Sequence, residues 1–390
     1  MLKGKNILIG VTSGISIYKI LSLISKLKKL GANVEVIMTE SATKFINPIT
    51  FETMSGNPVY TDMWVHPDKV LHVDITNDKD LFLIAPATVN TIAKINAGIG
   101  DNLLTTTVLA SKVPVVMAIA ANTVMLENPI TQKNIASLKS YGYEFIDSNV
   151  GMLACNTVGN GRMAEVDEII DFLEYKLATK DLLGKKIIVT AGASISRLDP
   201  VRFITNDSSG KMGYELAKNA RNRGAEVVYI TGRVNTPEIK KVKHIKYNTN
   251  IELKNAIKSE FENCDYLIMA AAPVDYEFIE TSNQKIKKSD EIVNYKMGKS
   301  EDILRYFGSI KTSQKIIGFA AETENLLDNA YKKLKSKNLD YIIANDVSLP
   351  DAGFNVDTNI ITILNEKNKK EYPKMNKSKV AKVILDELVK

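Results

Sequence analysis

Residues 5–11, KNILIGV, are apolar almost without interruption, and after the turn TSGIS comes IYKILSLISKLKKLG, where apolar positions recur every three or four residues. The first pattern predicts a strand buried on both faces, the second an amphipathic helix stopped at Gly31. NVEVIMTE then supplies another strand, so the chain opens as the strand, glycine turn, helix, strand unit of a parallel, doubly wound sheet. The same phrase returns at 184–194, GKKIIVTAGAS, with the helix KMGYELAKNARNRG and the strand AEVVYITG behind it. Two such openings predict two α/β domains, each a doubly wound, mainly parallel sheet, joined end to end. The helix and polar turn DEIIDFLEYKLATKDLLGKK between them put the boundary near residue 183, giving domains 1–182 and 183–390.

Further strand runs are LFLIAPA (81–87) and VPVVMAIA (113–120), then YLIMAAA (266–272), KIIGFAA (315–321) and YIIAND (341–346). Each ends in small or polar residues, and parallel sheets hold ligands at the carboxyl ends of their strands. The first turn, GVTSG, lacks the G-x-G-x-x-G spacing of a dinucleotide site, as does the second. SSGKMG (208–213) is not a Walker loop either, because the earlier glycine is missing and Met212 follows Lys211. Backbone amides at a helix start still bind phosphate, so a mononucleotide such as FMN suits the first turn better than NAD. GMLACNTVGNGRM (151–163) reads as a mobile glycine-rich loop, yet it carries Cys155, one of only two cysteines. A glycine-rich loop is a poor place to bury a thiol, so Cys155 is either incidental or delivered to a reaction.

Composition narrows the class. The chain has 390 residues, 45% hydrophobic and 25% charged, which fits globular domains; its apolar runs fall far short of the roughly 20 residues a membrane helix needs. With scarce cysteine and no secretory h-region at the start, a cytoplasmic location is expected and no membrane partner. A net charge of +6 raises the question of nucleic acid, but the lysines are interspersed with acids and no RNA-binding or zinc motif occurs. The excess charge suits small anionic substrates, phosphates in particular.

In the first half, VLHVDIT, APATVNTIAKINAGIGDNLLTT, AIAANTVM and GMLACNTVGNGRM, in this order and spacing, resemble the FMN-dependent phosphopantothenoylcysteine decarboxylases. The resemblance implies a flavodoxin- or Rossmann-like flavoprotein domain in which His72 is the active-site histidine, Asn122 binds the substrate carboxylate and Cys155 donates a proton. It places Thr12, Ser13, Gly14, Thr39, Thr88 and Asn90 around FMN. The chemistry explains such a set, because a cysteinyl carboxylate leaves only once oxidation of the thiol provides an electron sink, and a hydride and a proton must then return. Asn122 offers amide donors without a charge that would hold the carboxylate in place. Residues 119–125, IAANTVM, and Asn156 depart from the family's commoner Pro-Ala-Met-Asn segment and glycine.

In the second half, RLDPVRFITNDSSGKMG, AAAPVDYEF, KIKK, GFAAETE, KKLKSKNLDYIIANDVS and GFNVDTN resemble the phosphopantothenate–cysteine ligases, which in bacteria are commonly fused behind the decarboxylase. This implies a Rossmann-like domain that activates 4′-phosphopantothenate with CTP and Mg2+ and transfers the acyl group to cysteine. Met269, Ala270, Ala271, Asp275, Lys285, Glu301, Asp302, Ile303, Leu304, Phe319, Lys333 and Lys337 are the implied CTP contacts, Lys285 also acting in catalysis. Arg202 and Asn206 are the implied handlers of the acyl-cytidylate, and Lys211 starts a helix suited to phosphate; the metal ligands are not specified. The family further implies homo-oligomers, with flavin domains in threes and ligase domains in pairs. Two alternatives stay open: an active ligase with an altered or weak decarboxylase half, and a generic flavin or nicotinamide reductase.

Overall fold

The structure is a computed structural model and describes all residues except 65–69, 153–157, 289–291, 323, 347, 349–352, 354 and 390. The chain divides into two compact units, Met1–Ala178 and Thr179–Lys390. Residues after Ala178 are held within the second unit: Lys180 Nζ donates to Asn222 O, Asp181 pairs with Arg223, and Leu182 joins the core.

The first unit is built on six parallel strands, β1 (Asn6–Val11), β2 (Asn33–Met38), β3 (Val59–Tyr60), β4 (Leu81–Ala87), β5 (Val115–Ile119) and β6 (Glu144–Ile146), in the order β3-β2-β1-β4-β5-β6. The near-continuous apolar runs follow from this, since side chains of β1 point alternately into two helix-covered cores. Ile7, Ile9 and Val11 meet the Tyr18–Lys29 and Val166–Leu177 helices, while Leu8 packs with Phe82, Leu103 and Leu104 on the other face. The strand order is the Rossmann one, which reverses at β1/β4.

After β6 comes an antiparallel pair, β7 (Asn149–Met152) and β8 (Val158–Arg162), on either side of 153–157. Where a mobile loop was expected over 151–163, residues 151–152 and 158–162 are strand instead, and the glycines of β8 serve close packing. A Cβ on Gly159 would lie 2.2 Å from Thr123 Oγ1, and one on Gly161, whose φ is +131°, 2.1 Å from Ala121 O.

The second unit repeats the plan. Its eight-stranded sheet runs β13 (Lys243–Lys246), β12 (Glu226–Thr231), β9 (Lys186–Ala191), β14 (Tyr266–Met269), β17 (Lys315–Glu322), β18 (Tyr341–Asp346), β19 (Thr358–Leu364) and β20 (Lys369–Asn376). The first six are parallel, and the last two add antiparallel strands at one edge. Two small antiparallel pairs stand outside the sheet, β10 (Ile195–Arg197) with β11 (Phe203–Thr205), and β15 (Tyr276–Phe278) with β16 (Met297–Lys299). The Lys377–Leu388 helix packs on the Lys211–Asn222 helix, closing one face.

Candidate active sites

In the first unit the residues expected around a flavin share the carboxyl edge of the sheet. Thr12, Ser13 and Gly14 follow β1, Thr39 follows β2, and Thr88 and Asn90 follow β4, so the set borders the reversal point where such sheets open a crevice. The buried Thr12 hydroxyl donates to Pro86 O at 2.6 Å and lies 3.4 Å from Thr88 Oγ1, tying the two strand ends together. Thr39 N donates to Val11 O at 3.0 Å, fixing the end of β2 beside β1. Thr88 caps the Val89–Asn96 helix, and exposed Asn90 sits on its first turn. Hydroxyls and first-turn amides at one crevice fit the phosphate and polyol of a flavin mononucleotide.

Asn122 follows β5 and caps the Thr123–Glu127 helix, its Oδ1 accepting from Val124 N at 2.9 Å. Both its neighbours bind the β8 strand: Ala121 N donates to Gly161 O at 2.9 Å and Thr123 Oγ1 to Asn160 O at 2.7 Å. Lys19 reaches the far end of the same segment, donating to Met163 O and pairing with Glu165 at 3.0 Å. Thus the arm that leads from 153–157 is fastened to the Asn122 turn. Cys155 itself lies outside the described residues. His72 is half-buried on the Leu71–Asp74 turn of helix, which packs on the Leu103–Ala110 helix.

The second unit holds a cavity of about 330 Å³ at the carboxyl ends of its strands. Residues 269–271 and Asp275 beyond β14, residues 301–304 and Phe319 line it, as do Lys333 and Lys337, one helical turn apart. The wall is set by a polar network that sequence patterning does not single out. Ala271 N donates to Thr190 Oγ1, Val274 N to Ser194 Oγ, and Asn250 Nδ2 to Val274 O, at 2.9–3.1 Å. Asn206 is bonded to the same wall, donating to Pro273 O at 2.9 Å.

Three of the cations at this cavity are paired with an acid: Lys333 with Glu322 at 2.5 Å, Lys337 with Asp302 at 3.0 Å, Lys211 with Asp357 at 2.6 Å. Burial pushes the Asp302 carboxyl up, but the Arg305 N–H and Lys337 outweigh it and hold the group below the usual carboxylate range. Lysines already close to carboxylates in a concave site suit a polyanion that arrives with a divalent cation, because the acids then face the metal's charge rather than the phosphates'. Among the described residues no group of three or more His, Cys, Asp or Glu could hold a metal ion.

Three expected residues stand off the cavity wall, Asn206 among them. Lys285 does not line it, and the Arg202 guanidinium is engaged by Asp199 and Ile286 O, at 2.5 Å for Nη2 to each, rather than turned to the cavity. Lys377 was not expected and does line it. It is 5% exposed and donates to Gly353 O and Val356 O, while burial, with Lys211 nearby, holds it down to about 8. A lone lysine at the start of a terminal helix gives no sequence signal.

The Flavoprotein family profile matches residues 1–178, and that of the DNA/pantothenate metabolism flavoprotein C-terminal domain matches 182–390. The chain is 42% identical over 395 residues to the coenzyme A biosynthesis bifunctional protein CoaBC of Bacillus subtilis, covering 100% of this chain and 97% of the relative. The protein of the same description from Borreliella burgdorferi is 42% identical over 388 residues, 98% of each chain. A cysteine/cysteine sulfinic acid decarboxylase of an unknown prokaryotic organism is also 42% identical, over 332 residues, 83% of this chain and 92% of the relative.

Proposed function

The chain belongs to the family of bifunctional coenzyme A biosynthesis proteins, and from that premise we propose that the second unit joins 4′-phosphopantothenate to cysteine and the first unit decarboxylates the product to 4′-phosphopantetheine. What carries the reading is that one relative spans both units end to end at 42% identity, each unit offering a ligand edge of the matching kind.

In ligation, the phosphopantothenate carboxylate attacks the α-phosphate of CTP, pyrophosphate leaves, and the cysteine amine then displaces CMP from the acyl-cytidylate. The fixed backbone at 269–271 and the side chain of Phe319 would seat the nucleotide, with Lys333 and Lys337 on the phosphates. Lys285 completes the charge. Mg2+ is proposed to enter on the triphosphate, held chiefly by phosphate oxygens. Asn206, bonded to the 272–273 wall, positions the acyl end.

In decarboxylation, Thr12, Ser13, Gly14, Thr39, Thr88 and Asn90 would hold FMN, which when bound would supply the two-electron oxidation that lets CO2 leave and the hydride that returns. Asn122 orients the carboxylate with its amide. Cys155 donates the final proton, as a thiol can, since an unperturbed thiol with a pKa near ~8.5 is mostly protonated at neutral pH. His72 assists the oxidation as base or charge partner. Homo-oligomers, flavin units in threes and ligase units in pairs, and a cytoplasmic location belong to the same proposal. Exposed Trp64 and Val124 on the first unit support association.

The test supplies phosphopantothenate, cysteine, CTP and Mg2+ to the purified protein and follows CMP and CO2 together. Both should appear; CMP without CO2 would mark an altered first unit, and neither would sink the proposal. Cys155→Ser should leave CMP release intact while decarboxylation stalls after oxidation. Normal phosphopantetheine output from that variant would refute the proton-donor role.

A further inference from the structure

Between β15 and β16 the chain makes a long excursion that carries Lys285, and the described part of it meets the 198–202 turn on both sides of that lysine. On one side Ser282 N donates to Leu198 O at 2.9 Å. On the other, Ile286 is gripped through both its backbone groups: its N–H donates to Asp199 Oδ2 at 3.2 Å, and its carbonyl accepts from Arg202 Nη2 at 2.5 Å.

Asp199 is the centre of this arrangement. Its side chain is fully buried, and its two oxygens have separate tasks. Oδ1 accepts from Val201 N and Arg202 N, both at 2.8 Å, which is the bonding of an ordinary Asx turn ahead of Pro200. Oδ2 takes no part in that turn. It accepts from Arg202 Nε at 2.9 Å, Arg202 Nη2 at 2.5 Å and Ile286 N. A turn-forming aspartate needs only the first set; the second joins the turn to the Lys285 arm. Burial pushes the carboxyl up, but the Arg202 guanidinium and the three backbone amides outweigh it, so the group stays charged and Arg202 stays in place.

We propose that Asp199 is a positioning residue for ligation: acting through Arg202 and the backbone of Ile286, it fixes the stretch that presents Lys285 to the nucleotide. This rests on the ligase reading above. It also gives Arg202 a task away from the acyl-cytidylate, as the second half of the same clamp.

The test uses the full chain. Asp199→Asn keeps an acceptor for the turn but removes the charge, and should raise the KM for CTP in pyrophosphate release about tenfold, as expected when a binding group is displaced. Hydrogen exchange of residues 280–288 should quicken in parallel, with the rest of the second unit unchanged. In a Lys285→Gln background the same substitution should add nothing to the loss, since groups acting through one another are not additive. Multiplying losses, or exchange at 280–288 equal to the parent's, would overturn the proposal. If Asp199→Asn does not fold, Arg202→Gln spares every backbone bond of the turn and should still quicken exchange at 280–288, unchanged exchange being the contrary result. A parent protein without CTP-dependent pyrophosphate release would instead refute the ligase reading.

Discussion

Asn122 has two tasks in one side chain, and they can be separated. Its Oδ1 caps a helix by accepting from Val124 N, while the proposed substrate contact uses the amide as donor. Asn122→Asp keeps the cap and sets a charge against the substrate carboxylate, so thermal stability should hold while decarboxylation falls at least about 100-fold. Asn122→Ala should lose both, with about 1 kcal/mol of stability. Lys377 makes a pH prediction. Its folded value of about 8 lies below the 10.5 of an unperturbed lysine, so between these values the unfolded chain holds a proton that the folded chain does not. Stability therefore rises with pH across that window. The parent should gain on Lys377→Met as unfolding is measured from pH 8 to 10.5, and a flat difference would show Lys377 to be an ordinary cation. At this scale the sequence was partly legible. The residues carrying the motifs could be named, but Thr190, Ser194 and Asn250, which fix the cavity wall, come from separate elements and converge only in the fold.

The parallel strands were the legible elements, since KNILIGV and LFLIAPA owe their unbroken apolar character to helices on both faces. The antiparallel pairs were not. VGNGR carries two glycines and reads as loop, yet it forms β8, because Gly159 leaves room for the Thr123 side chain and Gly161 for the Ala121–Asn122 backbone. This makes the fastening of β8 testable. Thr123→Val removes the donor to Asn160 O and should cost about 1 kcal/mol, which Thr123→Ser restores. Gly161→Ala meets both a strained φ and the Ala121 carbonyl, and should cost more, about 2–4 kcal/mol by thermal melting of the first unit. A loss smaller than that of Thr123→Val would mean that β8 moves aside freely. The hairpin also changes how Cys155 is understood, since the arm leading from it is anchored by fit rather than freed by glycine.

Across the molecule, the repeat of strand, turn, helix and strand made the doubling of the fold legible from two short stretches, and both sheets share the β1-to-β6 type of order. What patterning did not reach was the added antiparallel edge of the second sheet, β19 and β20, where LysLysGluTyrProLysMetAsn carries no alternation a buried strand would show. That edge has a consequence for behaviour in concentrated solution. The first sheet ends in strands of two and three residues, too short to template another chain, whereas the second ends in β13 and β20, longer but studded with exposed lysines, with Pro373 and a register shift on the β20 side. Short, charged or irregular edges resist strand addition. Native protein should stay free of thioflavin-positive aggregates on prolonged concentration, while Lys369→Val with Lys370→Val and Pro373→Val should produce them. On that expectation the lysines of β20 guard the sheet edge against fibrillar growth.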